Sequence, residues 1–229
     1  MTGGGRLLYT GRMECRLCGA VTAPFIAAPR PYAECPSCGY LQLDEACLPS
    51  PERERSRYLL HRNDPADPGY RGWMERFIDS AVLPWARPGG RALDYGSGPE
   101  PLMTRLLADR GFEARAWDPY FAPDQSWREG GWDLVVMHEV AEHLAFPGRA
   151  FRELAPLLAP GAAVCVRTRF PPADRAAFAS WWYREDITHV GFFPKRSLEL
   201  AWSALGFSAL WDDGIDSVTF GERSGEIRG

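Results

Sequence analysis

The stretch that decides how this sequence folds is Leu93-Asp94-Tyr95-Gly96-Ser97-Gly98-Pro99-Glu100-Pro101-Leu102. Residues 91–95 read as a strand, the glycines as a tight turn, and Pro101 as the first turn of a helix over 101–110. Glycines at such a turn let the backbone approach a ligand closely, but a glycine loop alone does not distinguish NAD, a flavin or another nucleotide. Its charges do. Asp94 ends the strand and Glu100 falls at the helix start, where a pyrophosphate needs unopposed N–H groups and positive potential. Carboxylates there repel a diphosphate and suit a ligand that carries positive charge.

Working outward, 112–117 is a second strand, and Trp117-Asp118-Pro119-Tyr120 at its end offers a carboxylate whose two oxygens match the vicinal diol of a ribose. A buried strand over 132–137 ends at His138, and a helix is expected from there through Leu158. A Pro160-Gly161 turn leads to a strand over 162–168, then to a helix over 195–205 and strands over 207–211 and 218–220. Upstream, helices are expected over 51–62 and 70–82, separated by the turn-rich 63–69. Strands alternating with helices imply an α/β fold, a mostly parallel sheet and ligands at the carboxyl ends of its strands. The aromatic-rich segment 170–194 interrupts that alternation just after a strand end and reads as a substrate-facing lid.

The 229 residues are 45% hydrophobic, which suits one medium domain with a small appendage and excludes a disordered or fibrous chain. With 26 basic and 30 acidic side chains the net charge is -4, so nothing calls for a polyanionic partner. Lys195 is the only lysine, an arginine bias that fits codon usage. No apolar run has the length of a secretion signal or a membrane span, and a soluble, cytoplasmic protein without a membrane partner is expected.

Five of the six cysteines fall in the first fifty residues, a segment without helical period. Cys15-Arg16-Leu17-Cys18-Gly19 and Cys35-Pro36-Ser37-Cys38-Gly39 are two C-x-x-C-G knuckles with sixteen residues between them. Four thiolates so arranged suit tetrahedral zinc in a closed, structural site, whereas a redox dithiol needs only one such pair. The expected organisation is a zinc-ribbon-like module over 1–49, a helical cap over 50–89 and a ligand-binding domain over 90–229. Cys47 is left over, and Cys165 on an apolar strand reads as a small buried hydrophobe.

Taken together, Asp94, Gly96 and Gly98, the acidic Asp118, the strand from Trp132, the following His138-Glu139-Val140-Ala141-Glu142-His143-Leu144 and the Leu158-Ala159-Pro160-Gly161 turn resemble the class I S-adenosylmethionine-dependent methyltransferases. The resemblance covers about 91–220 and implies a Rossmann-like sheet with helices on both faces. It further implies that Gly96 and Gly98 face the cofactor's methionine part, Asp94 its ammonium and Asp118 with Pro119 its ribose, with His138 close by. The family often has a third glycine where Glu100 stands.

Methyl transfer is an in-line displacement at a carbon activated by positive sulfur, so it needs positioning and at most one base. His138 and His143 are candidates, and Glu139 and His143 form an i, i+4 pair if the helix starts there; the bland reading is cofactor packing. In the lid, Tyr183, Asp186 and His189 give an apolar wall and a proton acceptor, His189 being the favoured base or substrate hydrogen-bond partner. There the bland alternative has Asp186 and Thr188 capping a turn. Tyr58 and His61 can close over the cofactor from the first helix. The expected acceptor is a small or carrier-linked metabolite. Zinc ribbons also precede RNA base methyltransferases, but Arg6, Arg12, Arg16 and Arg30 are balanced by Glu14, Glu34, Asp44 and Glu45, which disfavours nucleic acid. A non-catalytic methyltransferase-like binding scaffold is the remaining alternative.

Overall fold

Trp132–His138 forms the central strand in the computed structural model, which describes residues 13–27, 29–60 and 63–222. Only Asp133 of this strand, β6, is exposed, as a strand covered on both faces requires. Its parallel neighbours are β4 (Arg91–Tyr95) and β7 (Leu158–Arg167). Beyond β4 lies the parallel β5 (Glu113–Trp117), and beyond β7 lie the antiparallel β10 (Ser217–Glu222) and then β9 (Phe207–Asp212). The order β5-β4-β6-β7-β10-β9 makes the sheet reverse direction of growth between β4 and β6, and a crevice opens at their carboxyl ends.

Alternate side chains along these strands feed two cores. Ala92, Leu134, Val136 and Cys165 pack with α2 (Pro68–Phe77), its π-helical extension Ile78–Val82 and α3 (Leu102–Asp109). Leu93, Val135, Val164 and Val166 pack with α4 (Pro147–Leu154) and α6 (Lys195–Ser203). Helices therefore cover both faces, and Cys165 is the buried small hydrophobe its strand context predicted. The first helix, α1 (Pro51–Tyr58), starts as its sequence dictates: Ser50 caps Arg53 N at 3.4 Å and proline takes the first position. It stops short of the expected span, and His61 and Arg62, like Arg6 and Arg12, lie outside the described residues.

Two expectations need correction. No helix runs from His138 to Leu158: Glu139 takes a left-handed φ of 57°, a 3-10 turn covers Ala141–His143, and α4 begins only at Pro147. The i, i+4 pairing of Glu139 with His143 is therefore absent. Glu100 precedes α3 rather than starting it, is exposed, and pairs outward with Arg105 at 3.5 Å.

The cysteine segment builds a second sheet from β1 (Ala23–Ala27), β2 (Arg30–Glu34) and β3 (Leu41–Leu43). Its fourth strand is β8 (Gly191–Phe192), contributed by the aromatic segment 170–194. Phe178, on the short α5 (Arg175–Ala179), and Phe192 pack edge-on against Tyr32 at 5.4 and 6.0 Å. The supposed lid is thus half buried against the cysteine segment, and only part of it faces the crevice. On the other side the first knuckle sits on α4, with Gly148 N donating to Arg16 O at 3.1 Å. A Cβ at Gly148 would lie 2.1 Å from Leu17 O, a backbone atom that cannot swing aside. Gly148→Ala should cost about 2–3 kcal/mol by overpacking. A thermal melt should fall by at least about 5 °C; an unchanged melt would show that this junction yields.

Candidate active site

A cavity of about 880 Å³ occupies the crevice. Its floor is the glycine loop. Gly96 has φ 85° and packs so closely on Val140 that a Cβ would come within 2.6 Å of Cγ1, whereas the space beside Gly98, φ 68°, is open. The two glycines therefore act differently: one lets the loop bend beneath Val140, the other leaves room for a ligand. Gly96 and Ser97 donate to Trp117 O at 2.7 and 3.1 Å, fastening the loop to the end of β5.

Asp94 and Asp118 flank this loop, as expected. Asp94 Oδ2 accepts from Thr104 N at 3.1 Å and Thr104 Oγ1 at 2.7 Å. Burial raises its pKa to about 6, the Thr104 hydrogen bonds opposing the shift. Asp118 Oδ1 accepts from Tyr120 N at 2.8 Å and Phe121 N at 3.1 Å, and Oδ2 accepts from Gly98 N at 3.0 Å. Oδ1 is filled while Oδ2 keeps one acceptor site, so Asp118 has less capacity for a diol than its residue type alone suggests. Its second task, holding the glycine loop, was not legible because it arises from a turn between 118 and 122. Pro119 stands exposed on the cavity wall beside it.

His138 closes the end of β6, covered edge-on by Trp73 and Phe77 at 4.4 and 5.0 Å. Burial, with Arg167 nearby, lowers its pKa to about 3, so the ring is neutral at neutral pH. Its Nε2 has no hydrogen-bond partner among the described residues. The next residue, Glu139, is held between Tyr183 Oη at 3.1 Å and Arg167 Nε at 3.4 Å. Burial and the neighbouring Glu142 raise its pKa to about 8.

The residues brought together from the two sequence motifs are Glu142, His143, Tyr183 and His189. Tyr183 donates its one hydroxyl proton to Glu142, and the same oxygen can accept from Glu139, which its raised pKa keeps protonated; the tyrosine ring lies 4.1 Å from that of His189. His189 Nδ1 is 2.6 Å from Tyr183 O and His143 Nδ1 is 3.0 Å from Thr188 O. A carbonyl only accepts, so both Nδ1 atoms carry a proton, and the neutral form of either ring has its lone pair on Nε2. Burial first, then His143, lowers the pKa of His189 to about 4. Glu142, which the 3-10 turn after β6 brings into this group, is completely buried.

Asp186 is fully engaged elsewhere. Oδ1 accepts from Thr188 N and Oγ1 at 3.0 and 2.7 Å, the turn its sequence allowed, and Oδ2 meets Arg57 of α1 at 2.8 Å. That ion pair, the Tyr120 hydroxyl on Glu54, and the edge-on approach of Tyr58 to His143 at 5.3 Å draw α1 across the cavity mouth.

Away from the cavity, the Sγ atoms of Cys15, Cys18, Cys35 and Cys38 lie within 4.8 Å of one another. Cys15 and Cys38 are 3.7 Å apart and Cys18 and Cys35 3.5 Å, far beyond a disulfide bond. Four sulfurs at about 2.3 Å from a tetrahedral zinc would stand about 3.8 Å from each other, so this donor set fits the ion. Gly19 and Gly39, at φ 80° and 84°, close the two knuckles.

A doubly wound sheet with an acidic glycine loop at its switch point defines an α/β domain that binds its ligand in the crevice at the strand ends. The chain belongs to the methyltransferase domain family, whose model matches residues 70–210. Solved structures agree in fold. A 1,6-didemethyltoxoflavin N1-methyltransferase from Burkholderia thailandensis, with its substrate and S-adenosylhomocysteine bound, is 15% identical with a TM-score of 0.56, over 88% of this chain and 99% of that one. The magnesium protoporphyrin IX methyltransferase of Synechocystis PCC 6803, with S-adenosylhomocysteine bound, is 14% identical with a TM-score of 0.53, over 76% and 95%. An O-methyltransferase family protein of Burkholderia thailandensis is 16% identical with a TM-score of 0.55, over 76% of this chain; the chain spans only 64% of its length. A search of curated proteins finds no match to the sequence. No helix among the described residues is long and apolar enough to cross a membrane.

Proposed function

We propose that this methyltransferase uses S-adenosylmethionine to methylate a small-molecule or carrier-linked metabolite in the cytoplasm. The observation that carries this reading is the charge of the cavity wall: six carboxyl groups, of which Glu139 is held protonated by its raised pKa while Asp94 and Asp118 flank the glycine loop, against one guanidinium, Arg57, itself paired with Asp186. Such a wall attracts an ammonium and a sulfonium and repels a diphosphate or an RNA backbone. Asp94 Oδ1 receives the cofactor's ammonium, the open side of Gly98 its methionine chain and Asp118 Oδ2 a ribose hydroxyl. His138, neutral and walled by Trp73 and Phe77, packs beside the cofactor. The S-adenosylhomocysteine held by two of the structural relatives is consistent with this placement.

The acceptor lies between the cofactor and the 183–189 segment. There His189 is its hydrogen-bond partner or base, with Tyr183 holding the imidazole by its carbonyl and Asp186 holding the segment to α1. The acceptor atom attacks the methyl carbon in line with the leaving sulfur, so most of the catalysis is positioning. The four cysteines hold one structural zinc, whose closed coordination keeps it out of the reaction. Calorimetry tests the central assignment: S-adenosylhomocysteine should bind with one site per chain and NAD should not. Binding of NAD alone would reverse it.

A further inference from the structure

We propose that Glu142, His143 and His189 form a second metal site, one that takes a borderline divalent cation and presents it to the acceptor. One ligand atom from each lies within 4.8 Å of the other two, and His143 Nε2 stands 4.0 Å from Glu142 Oε1. Ligands at about 2.0–2.2 Å from an ion sit about 3.4 Å apart in a tetrahedron, so side-chain shifts of under about 1 Å close the site. Each ligand already has the outer hydrogen bond that metal ligands use for orientation. His143 Nδ1 donates to Thr188 O, His189 Nδ1 to Tyr183 O, and the Tyr183 hydroxyl donates to Glu142. Each imidazole in its neutral form, the form that binds a metal, thereby has its lone pair on Nε2.

The independent sign of a missing cation is Glu142 itself. Its side chain is 0% exposed, and Oε2 has no hydrogen-bond partner among the described residues. A buried carboxylate with an idle oxygen and no guanidinium beside it calls for a counter-charge. Arg167, the nearest strong cation on β7, is spent on Glu139 and Asp216. Two imidazoles and one carboxylate suit Zn²⁺, Co²⁺, Ni²⁺ or Mn²⁺, and three protein ligands leave positions open toward the cavity. The ligand class that fits those positions is an acceptor with adjacent oxygens, a vicinal diol or a hydroxy-carbonyl compound.

This deepens the methyl-transfer reading and rests on it for the chemistry alone. With the ion seated, the lone pair of His189 holds metal and does not take the proton. The coordinated hydroxyl loses its proton to water, its oxygen bonds to the methyl carbon, and the carbon–sulfur pair leaves with sulfur. The test is a titration of the full zinc-loaded chain with Mn²⁺ and with Co²⁺, followed by calorimetry. One equivalent should bind, and Glu142→Gln and His189→Asn should each weaken it by at least about 10–100-fold while S-adenosylhomocysteine still binds. No equivalent in the unaltered chain, or equal affinity in His189→Asn, would overturn the site; if Glu142→Gln does not fold, His189→Asn decides alone. A chain that binds the ion but not S-adenosylhomocysteine keeps the site and refutes the cofactor assignment, so the two failures are distinguishable.

Discussion

Asp118→Ala should weaken S-adenosylhomocysteine binding by about 100-fold or more, measured by calorimetry. Two losses add. The ribose loses a charge-assisted hydrogen bond, worth about 1.5–3 kcal/mol. The glycine loop loses the anchor at Gly98 N, and the turn loses those at Tyr120 N and Phe121 N. Freed amides reorganise, so the surface offered to the cofactor's methionine chain is no longer preset. Asp118→Asn separates the two: with its carbonyl oxygen in the place of Oδ1 it keeps the anchors at Tyr120 N and Phe121 N, while its NH2 cannot accept from Gly98 N or carry the charge, and its affinity should fall between alanine and the parent. Affinity should also depend on pH through Asp94. Its raised value near 6 means the free carboxyl is protonated at lower pH, so binding of the ammonium should decline below about pH 6 and level off above. Full affinity in Asp118→Ala would remove the ribose assignment and the glycine-loop argument with it.

What could be read from the sequence follows how local each signal is. The strand, glycine turn and helix over 91–110 are fixed by neighbours within a few residues, and they appear where the sequence placed them. The central β6 was equally plain because burial on both faces leaves an uninterrupted apolar run. The stretch after it was misread for a specific reason. His138 to Leu144 has helix-compatible residues throughout, but Glu139 is forced to φ 57° where the chain leaves the sheet, and its N–H pairs with Arg167 O across the strand ends. That is a tertiary constraint with no local signature. The meeting of Glu142 with His143, Tyr183 and His189 depends on this turn, so the cluster was legible as two lists of candidates and not as one site. The place of β8 was hidden for a related reason: two residues, Gly191 and Phe192, are too short a run to show a strand period.

Cys35→Ser should empty the zinc site and impair the active site together, although the nearest chemistry belongs to other elements. Metal analysis should fall from about one zinc per chain to near zero, because a hydroxyl replaces one of four thiolates. Structural zinc supplies on the order of 10 kcal/mol to small modules, so β1 to β3 should lose their fold; the core on the α4 and α6 side loses the packing of Cys15, Leu17, Cys35, Cys38 and Tyr40, while the core on the α2 and α3 side contains no residue of the module. The consequence travels by a short path of hydrogen bonds. Leu43 N donates to Val190 O at 2.9 Å, and Val190 N donates to Glu142 O at 2.8 Å. Arg16, inside the first knuckle, also donates to Val190 O, at 3.1 Å. Releasing the knuckles therefore releases β8, the segment just before it that carries His189, and the turn that carries Glu142. The packing around β8 leaves it no other place, since a Cβ on Gly191 would stand 1.9 Å from the Tyr40 hydroxyl. S-adenosylhomocysteine affinity should fall by less than about tenfold in this variant, since Asp94 on β4, Gly98 in the loop after it and Asp118 just past β5 all lie outside the module, whereas turnover with any acceptor should drop by at least about 100-fold through lost positioning. Unchanged zinc content and turnover would show that neither the metal nor the path from knuckle to lid exists.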